Sequence, residues 1–183
     1  RPMRARTSSD LTAGTEVFAT VLAAIDTDRD GVLSSAEERA YAARVLGDLS
    51  LSVDGARLPL RLVSSSFPEL ELMRDGRGVI QIDFDAAVPA GGADRRLVFE
   101  NHHFTRIADY LVNGLVPSDR DIAIRAQKRD SVQSRFELEY AQARISPPAS
   151  SYDARSNARA WLGPAAILLV GCIAVALRRG AAA

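Results

Sequence analysis

Hydrophobic positions divide the chain into two regimes. From Leu11 to Ile25 the apolar residues Val17, Phe18, Val21, Leu22 and Ile25 fall on one face of a helix. From Ser35 to Leu49, Ala40, Tyr41, Val45, Leu46 and Leu49 repeat that spacing. After Leu49 the period drops to two. Leu51 and Val53 lead into Asp54-Gly55, a strong hairpin signal. Leu58, Leu60 and Leu62 alternate on the return, followed by Leu70 and Leu72 and a turn over 75–78. Ile80, Ile82 and Phe84 alternate next, and residues 89–94 read as a loop. Leu97 and Phe99, the run 110–116, Ile122 to Ala126, and Phe136 to Tyr140 complete seven or eight short strands. The expected fold class is α+β: an N-terminal helix-loop-helix over 11–49, then an antiparallel β-sandwich of immunoglobulin-like architecture over 50–143.

The chain then changes character. Residues 145–157 contain Pro147, Pro148 and four serines, the composition of a linker, placed at 144–159. Trp161 to Leu177 carries no charge and precedes Arg178 and Arg179. At about 1.5 Å per residue such a run spans most of a ~30 Å hydrocarbon core. A C-terminal transmembrane helix over 160–178 is therefore expected, with a buried core helix as the alternative. Trp161 stands where an interfacial aromatic anchor stands. The arginines after the span place the short tail in the cytoplasm, hence the folded part outside it, periplasmic or extracellular. Arg155 and Arg159 weaken that asymmetry, and a tail-anchored cytoplasmic domain is the competing topology.

Lys+Arg and Asp+Glu are both 23, so the net charge is zero. This argues against nucleic-acid binding, which needs a basic field. Lys128 is the only lysine. The single cysteine, Cys172, excludes an intrachain disulfide and a multi-thiolate zinc site.

Between the two helical patterns lies the most informative segment, Asp26-Thr-Asp28-Arg-Asp30-Gly31-Val32-Leu33-Ser34-Ser-Ala-Glu37. It fits the twelve-residue EF-hand loop at every diagnostic position. Calcium is a hard cation that takes six to eight oxygens at about 2.3–2.6 Å. Asp26, Asp28 and Asp30 are expected to supply carboxylates and Val32 its backbone carbonyl. Ser34 acts through a water, and Glu37 closes the shell with two oxygens. Gly31 makes the sharp turn, and Leu33 ties the loop to the core. Four carboxylates offset only by Arg29 repel one another without a cation. The alternative is an acidic turn before a helix. A dockerin-type loop is a near neighbour, but it lacks the entering helix and normally ends in Asp. Neither Arg74 to Gly78 nor Ser118 to Asp121 makes a second loop.

The only histidines, His102 and His103, follow Glu100 and Asn101. Neighbours on a strand face opposite sides, so a hydrogen-bonded structural corner is the leading reading. A transition-metal site with Glu100 and a catalytic role are the alternatives. Asp83 and Asp85 share a strand face and read as solvated. No phosphate loop, hydrolase elbow or nucleophile–base pair is recognisable, so no enzymatic activity is expected.

Residues 11–49 resemble an EF-hand. More loosely, residues 11–143 are similar to bacterial membrane-associated EF-hand proteins, with segments such as Leu97-Val-Phe-Glu-Asn-His-His103 and Tyr110-Leu-Val-Asn113 in an extracytoplasmic β domain. Some of these resemble the extracytoplasmic part of nickel/cobalt permeases, which carry several more spans. The resemblance implies calcium binding, no known enzymatic residues and an unidentified membrane-protein partner. Its second implication is an accessory role in nickel or cobalt transport.

Overall fold

The computed structural model describes residues 3–114, 117, 121–142 and, as backbone, 167–177. The chain runs β1 (Met3–Ala13), α1 (Phe18–Ile25), α2 (Ser35–Gly47), β2 (Leu49–Val53), β3 (Ala56–Arg57), β4 (Arg61–Ser66) and α3 (Leu70–Arg74). It continues with β5 (Val79–Val88), β6 (Asp94–Asn101), β7 (Ala108–Leu111), β8 (Ile122–Arg129), β9 (Arg135–Gln142) and β10 (Ile167–Leu177). The strands form two five-stranded sheets, ordered β4-β5-β1-β10-β7 and β3-β2-β6-β9-β8. Every pairing is antiparallel except β1 with β10. The protein is thus β-rich, with few helices.

The inner faces of the sheets meet at Phe84 of β5 and Phe99 of β6, whose rings stack at 6.4 Å. Both are fully buried, with Ile80, Ile82, Leu97, Phe136 and Leu138 around them. One hydrophobic core takes in the sheets and the helices, which contribute Val21, Ile25, Tyr41, Ala42 and Val45. Val21 and Ile25 of α1 and Tyr41 and Val45 of α2, at helical spacing, bury because they face this core, which stabilises short helices that propensity alone would not hold, whereas Ala40 is exposed and Leu49 already begins β2.

The Asp54-Gly55 hairpin forms as expected. Both residues have positive φ (53° and 84°), the backbone a two-residue primed turn requires. The return strand is shorter than the leucine spacing suggests. Ala56 and Arg57 pair with β2, the Leu58 N–H makes a last bond to the Leu51 carbonyl, and β4 crosses to pair with β5 in the other sheet.

Two expectations are corrected. The helical pattern begins at Leu11 in the sequence, but Leu11 and Ala13 belong to β1, and α1 starts at Phe18. The inward residues of β1 are Met3, Ala5, Thr7, Ser9, Leu11 and Ala13. With Thr7 and Ser9 in the middle, no apolar alternation is visible. Second, Leu70 and Leu72 do not form a strand. They lie in α3, which buries Met73 instead. Leu72 is then left with its carbonyl accepting from Arg77 and Gly78. A Cβ at Gly78 would come within 2.8 Å of the Met73 nitrogen, so only glycine lets the chain leave the helix this closely.

Within the expected span 160–178 the structure describes the backbone of residues 167–177. Residues 167–177 are not helical but form β10, parallel to β1 from Arg4↔Ile167 to Ala13↔Leu177 and antiparallel to β7. An apolar run rich in Ile and Val suits a strand with neighbours on both edges as well as it suits a span. No helix among the described residues is long and apolar enough to cross a membrane. The linker at 144–159 and the rest of 160–178 lie outside the described residues.

Candidate cation loop

The loop is held at both ends by helix-terminal hydrogen bonds. Asp26 is the C-cap of α1, its N–H donating to the Leu22 carbonyl at 2.8 Å. Ser34 is the N-cap of α2, its hydroxyl accepting from the Glu37 N–H. Glu37 reaches back to accept from the Ser34 N–H at 3.1 Å, completing a capping box. Arg44 ties the helices together, donating to the Ala24 carbonyl at 3.0 Å. Leu33, partly buried, packs on the core as expected.

Within the loop each aspartate organises backbone. The Gly31 N–H donates to Asp26 Oδ2 (3.1 Å), the Asp30 N–H to Asp28 Oδ1 (3.2 Å) and the Val32 N–H to Asp30 Oδ1 (2.7 Å). Gly31 has φ of +80° with open space around it, so the requirement for glycine is conformational rather than steric. One carboxylate oxygen from each of Asp26, Asp28 and Asp30 lies within 4.8 Å of the others. Asp28 and Asp30 are exposed, whereas Asp26 is only 5% exposed. Its Oδ1 is buried without a hydrogen-bond partner. A buried carboxylate oxygen with nothing to accept from is costly, and here it sits beside two further carboxylates.

The net charge of this group shows in Asp28. The Asp30 N–H pulls its pKa down, but partial desolvation, the charges of Asp30 and Glu37, and the Asp26 carboxyl raise it overall. Anions held this close disfavour one another's ionised form.

Glu37 stands apart from the three aspartates. Its Oε1 accepts from the Thr27 N–H at 2.6 Å, with longer bonds from the Thr27 hydroxyl and the Asp28 N–H. Its Oε2 accepts from the Ser34 hydroxyl at 2.8 Å. The Ser34 hydroxyl, the Ser34 N–H and the Thr27 N–H hold its carboxyl down at about 2. Of the expected ligands, the structure therefore brings Asp26, Asp28 and Asp30 together. Ser34 and Glu37 are engaged in the helix cap, and Val32 is exposed.

The two histidines separate. His102 is exposed, 3.9 Å from Glu100. His103 is buried, with Nδ1 2.7 Å from Asp48 Oδ2 and Nε2 3.0 Å from the Tyr41 hydroxyl. Both its ring nitrogens are occupied, so the pair does not form a joint transition-metal site with Glu100. Among the described residues the three aspartates are the only group of acidic, histidine or cysteine side chains arranged to hold an ion.

Asp85 is not solvated. Arg4 and Arg61 both pair with it, and the Arg61 guanidinium beside it lowers its pKa. Asp48 carries no signal in the sequence and Tyr41 reads there only as part of an apolar helix face, because both lie far from His103 along the chain.

No family model, curated protein or solved structure matches this chain.

Proposed function

We propose that the chain is a calcium-binding, non-enzymatic domain of EF-hand type, its ion structural or regulatory, carried on an immunoglobulin-like sandwich and anchored to a membrane on the extracytoplasmic side. The observation that carries the calcium reading is the buried, unpartnered Oδ1 of Asp26 within a group of three carboxylates. A hard divalent cation satisfies that oxygen and removes the repulsion around Asp28 at once. Asp26, Asp28 and Asp30 hold the ion. Val32, Ser34 and Glu37 complete its shell if Glu37 exchanges amide donors for the cation. An ion at this point ties α1 to α2 and so fixes both against the sheets.

Calorimetric titration tests this reading. Calcium is expected to bind with measurable heat at millimolar concentration or below, and Glu37→Gln to weaken it by removing the charge that closes the shell. No heat at any calcium concentration up to the millimolar range would remove the proposal.

The anchoring reading rests on the uncharged run 161–177 and the arginines after it. In a bilayer that run has to be helical, since a lone strand leaves its backbone unbonded in hydrocarbon. Seat in the sheet and span in the membrane exclude one another. The full chain is expected in the membrane fraction after alkaline carbonate washing, and a chain ending at residue 145 in the soluble fraction. A full chain that stays soluble is the result the β10 pairing calls for, and it removes the anchor.

A further inference from the structure

Helix α2 carries the cation loop's cap at one end and the His103 contacts along the rest of its length. Glu37 lies in its first turn, Tyr41 one turn on, and Asp48 is its C-cap. Tyr41 bonds His103 Nε2, Asp48 bonds His103 Nδ1, and the His102 N–H donates to the Asp48 carbonyl at 2.9 Å. The His103 segment is fixed from its other side too. The His103 N–H donates to the buried Asn101 side chain, and the Tyr110 hydroxyl donates to the His103 carbonyl at 2.7 Å. Phe104 packs on the imidazole at 4.2 Å between ring centres, and its own φ is +56°, a constrained turn. We propose that Tyr41, His103 and Asp48 form a proton-sensitive latch on α2, so that protonating His103 weakens cation binding at the loop.

This rests on the calcium reading above. The bonding fixes the tautomer. Asp48 accepts, so Nδ1 carries the proton, and Nε2 is free to accept from the Tyr41 hydroxyl. Burial pushes the Tyr41 phenol well above its ordinary range, so it remains an O–H donor throughout the acidic and neutral range. A second proton on His103 goes to Nε2. That nitrogen then presents a hydrogen to a hydroxyl oriented to give one, and the contact must be rebuilt around a buried cation. Asp48 favours the second proton by attracting the imidazolium, while Arg44 on the same helix disfavours it by repulsion. Burial outweighs Asp48 and lowers the His103 pKa. Tyr110, from β7, faces the cluster as a neutral phenol raised to about 12. The sign follows from the lowered pKa. Above about 6.5, the ordinary histidine value, folded and unfolded chains both hold a neutral imidazole and the latch is fully formed. Its contribution is lost as the pH falls below that value. α2 is then less firmly seated, and Glu37 and Ser34 at its start are less well placed for the ion.

Calcium affinity of the full chain, titrated at pH 7.5 and pH 5.5, reads this directly. A fall of about fivefold is expected at the lower pH, the small end of ordinary coupling between sites. Tyr41→Phe and His103→Gln should each flatten that pH dependence, and His102→Gln should leave it intact. By reciprocity, saturating calcium should move the midpoint of the His103 ring signals in NMR to lower pH. Equal affinity at the two pH values, or a pH dependence that persists in both Tyr41→Phe and His103→Gln, overturns the latch while leaving the calcium site standing. No binding at pH 7.5 overturns both.

Discussion

Replacing Phe84 by alanine is expected to destabilise the protein by about 3–5 kcal/mol, the ordinary cost of removing a large buried aromatic ring. Phe84 has no solvent exposure and stacks on Phe99 across the two sheets. Its removal deletes transfer energy and leaves a cavity between faces that hydrogen-bonded strands hold apart. The neighbouring β-branched residues Ile80 and Ile82 cannot swing in to fill it, because their rotamers are restricted. Domains of this kind are stable by only about 5–15 kcal/mol, so the variant sits close to unfolding. Urea denaturation followed by circular dichroism measures the change. A loss below about 1 kcal/mol, the level of a surface substitution, would mean that the two sheets do not meet through Phe84.

Asp26→Asn is expected to separate the loop's structure from its chemistry. Asparagine keeps an oxygen to accept from the Gly31 N–H, so the turn survives. It removes one of three clustered charges, including the buried oxygen that has no partner. In chelator the variant should therefore be as stable as the parent, or slightly more so. With calcium a different order is expected. A ligand that binds only the folded state stabilises by RT ln(1 + [L]/Kd), about 2.7 kcal/mol at a hundredfold excess over Kd. The parent should gain that amount and the variant little or none of it. Denaturant midpoints with calcium and with chelator give the four numbers. A variant that gains as much from calcium as the parent would remove Asp26 from the site.

Much of the fold is legible in the chain because local pattern and final environment agree. Ile80, Ile82 and Phe84 alternate in sequence and face one core in the structure, and Asp54-Gly55 turns as its composition demands. The loop is legible for a different reason. Its aspartates act within a few residues of one another, so spacing alone encodes the geometry. Other elements depend on contacts that spacing does not carry. β1 hides its alternation behind inward Thr7 and Ser9 and is recognisable only through its pairing with β5. α3 reads as strand because Leu70 and Leu72 stand two apart, while the buried partner of Leu70 on the helix is Met73, three apart. The uncharged run 161–177 reads as a span, while residues 167–177 within it equally suit a strand. The engagement of Glu37 in the helix cap is likewise hidden, since a carboxylate at that position serves a calcium shell or a capping box equally well. Asp48 and His103 are joined only by the folded chain.

The measurement that tests the central claim most directly is thermal unfolding of the protein in calcium, in magnesium and in chelator. The account predicts an upward shift in calcium of several degrees, roughly 2–4 °C for each kcal/mol of binding energy in a domain of this size. It predicts little shift in magnesium, a smaller ion that demands near-ideal octahedral geometry and gives up its waters reluctantly. Identical midpoints in calcium and in chelator would contradict it, leaving an acidic turn between two helices and no cation site.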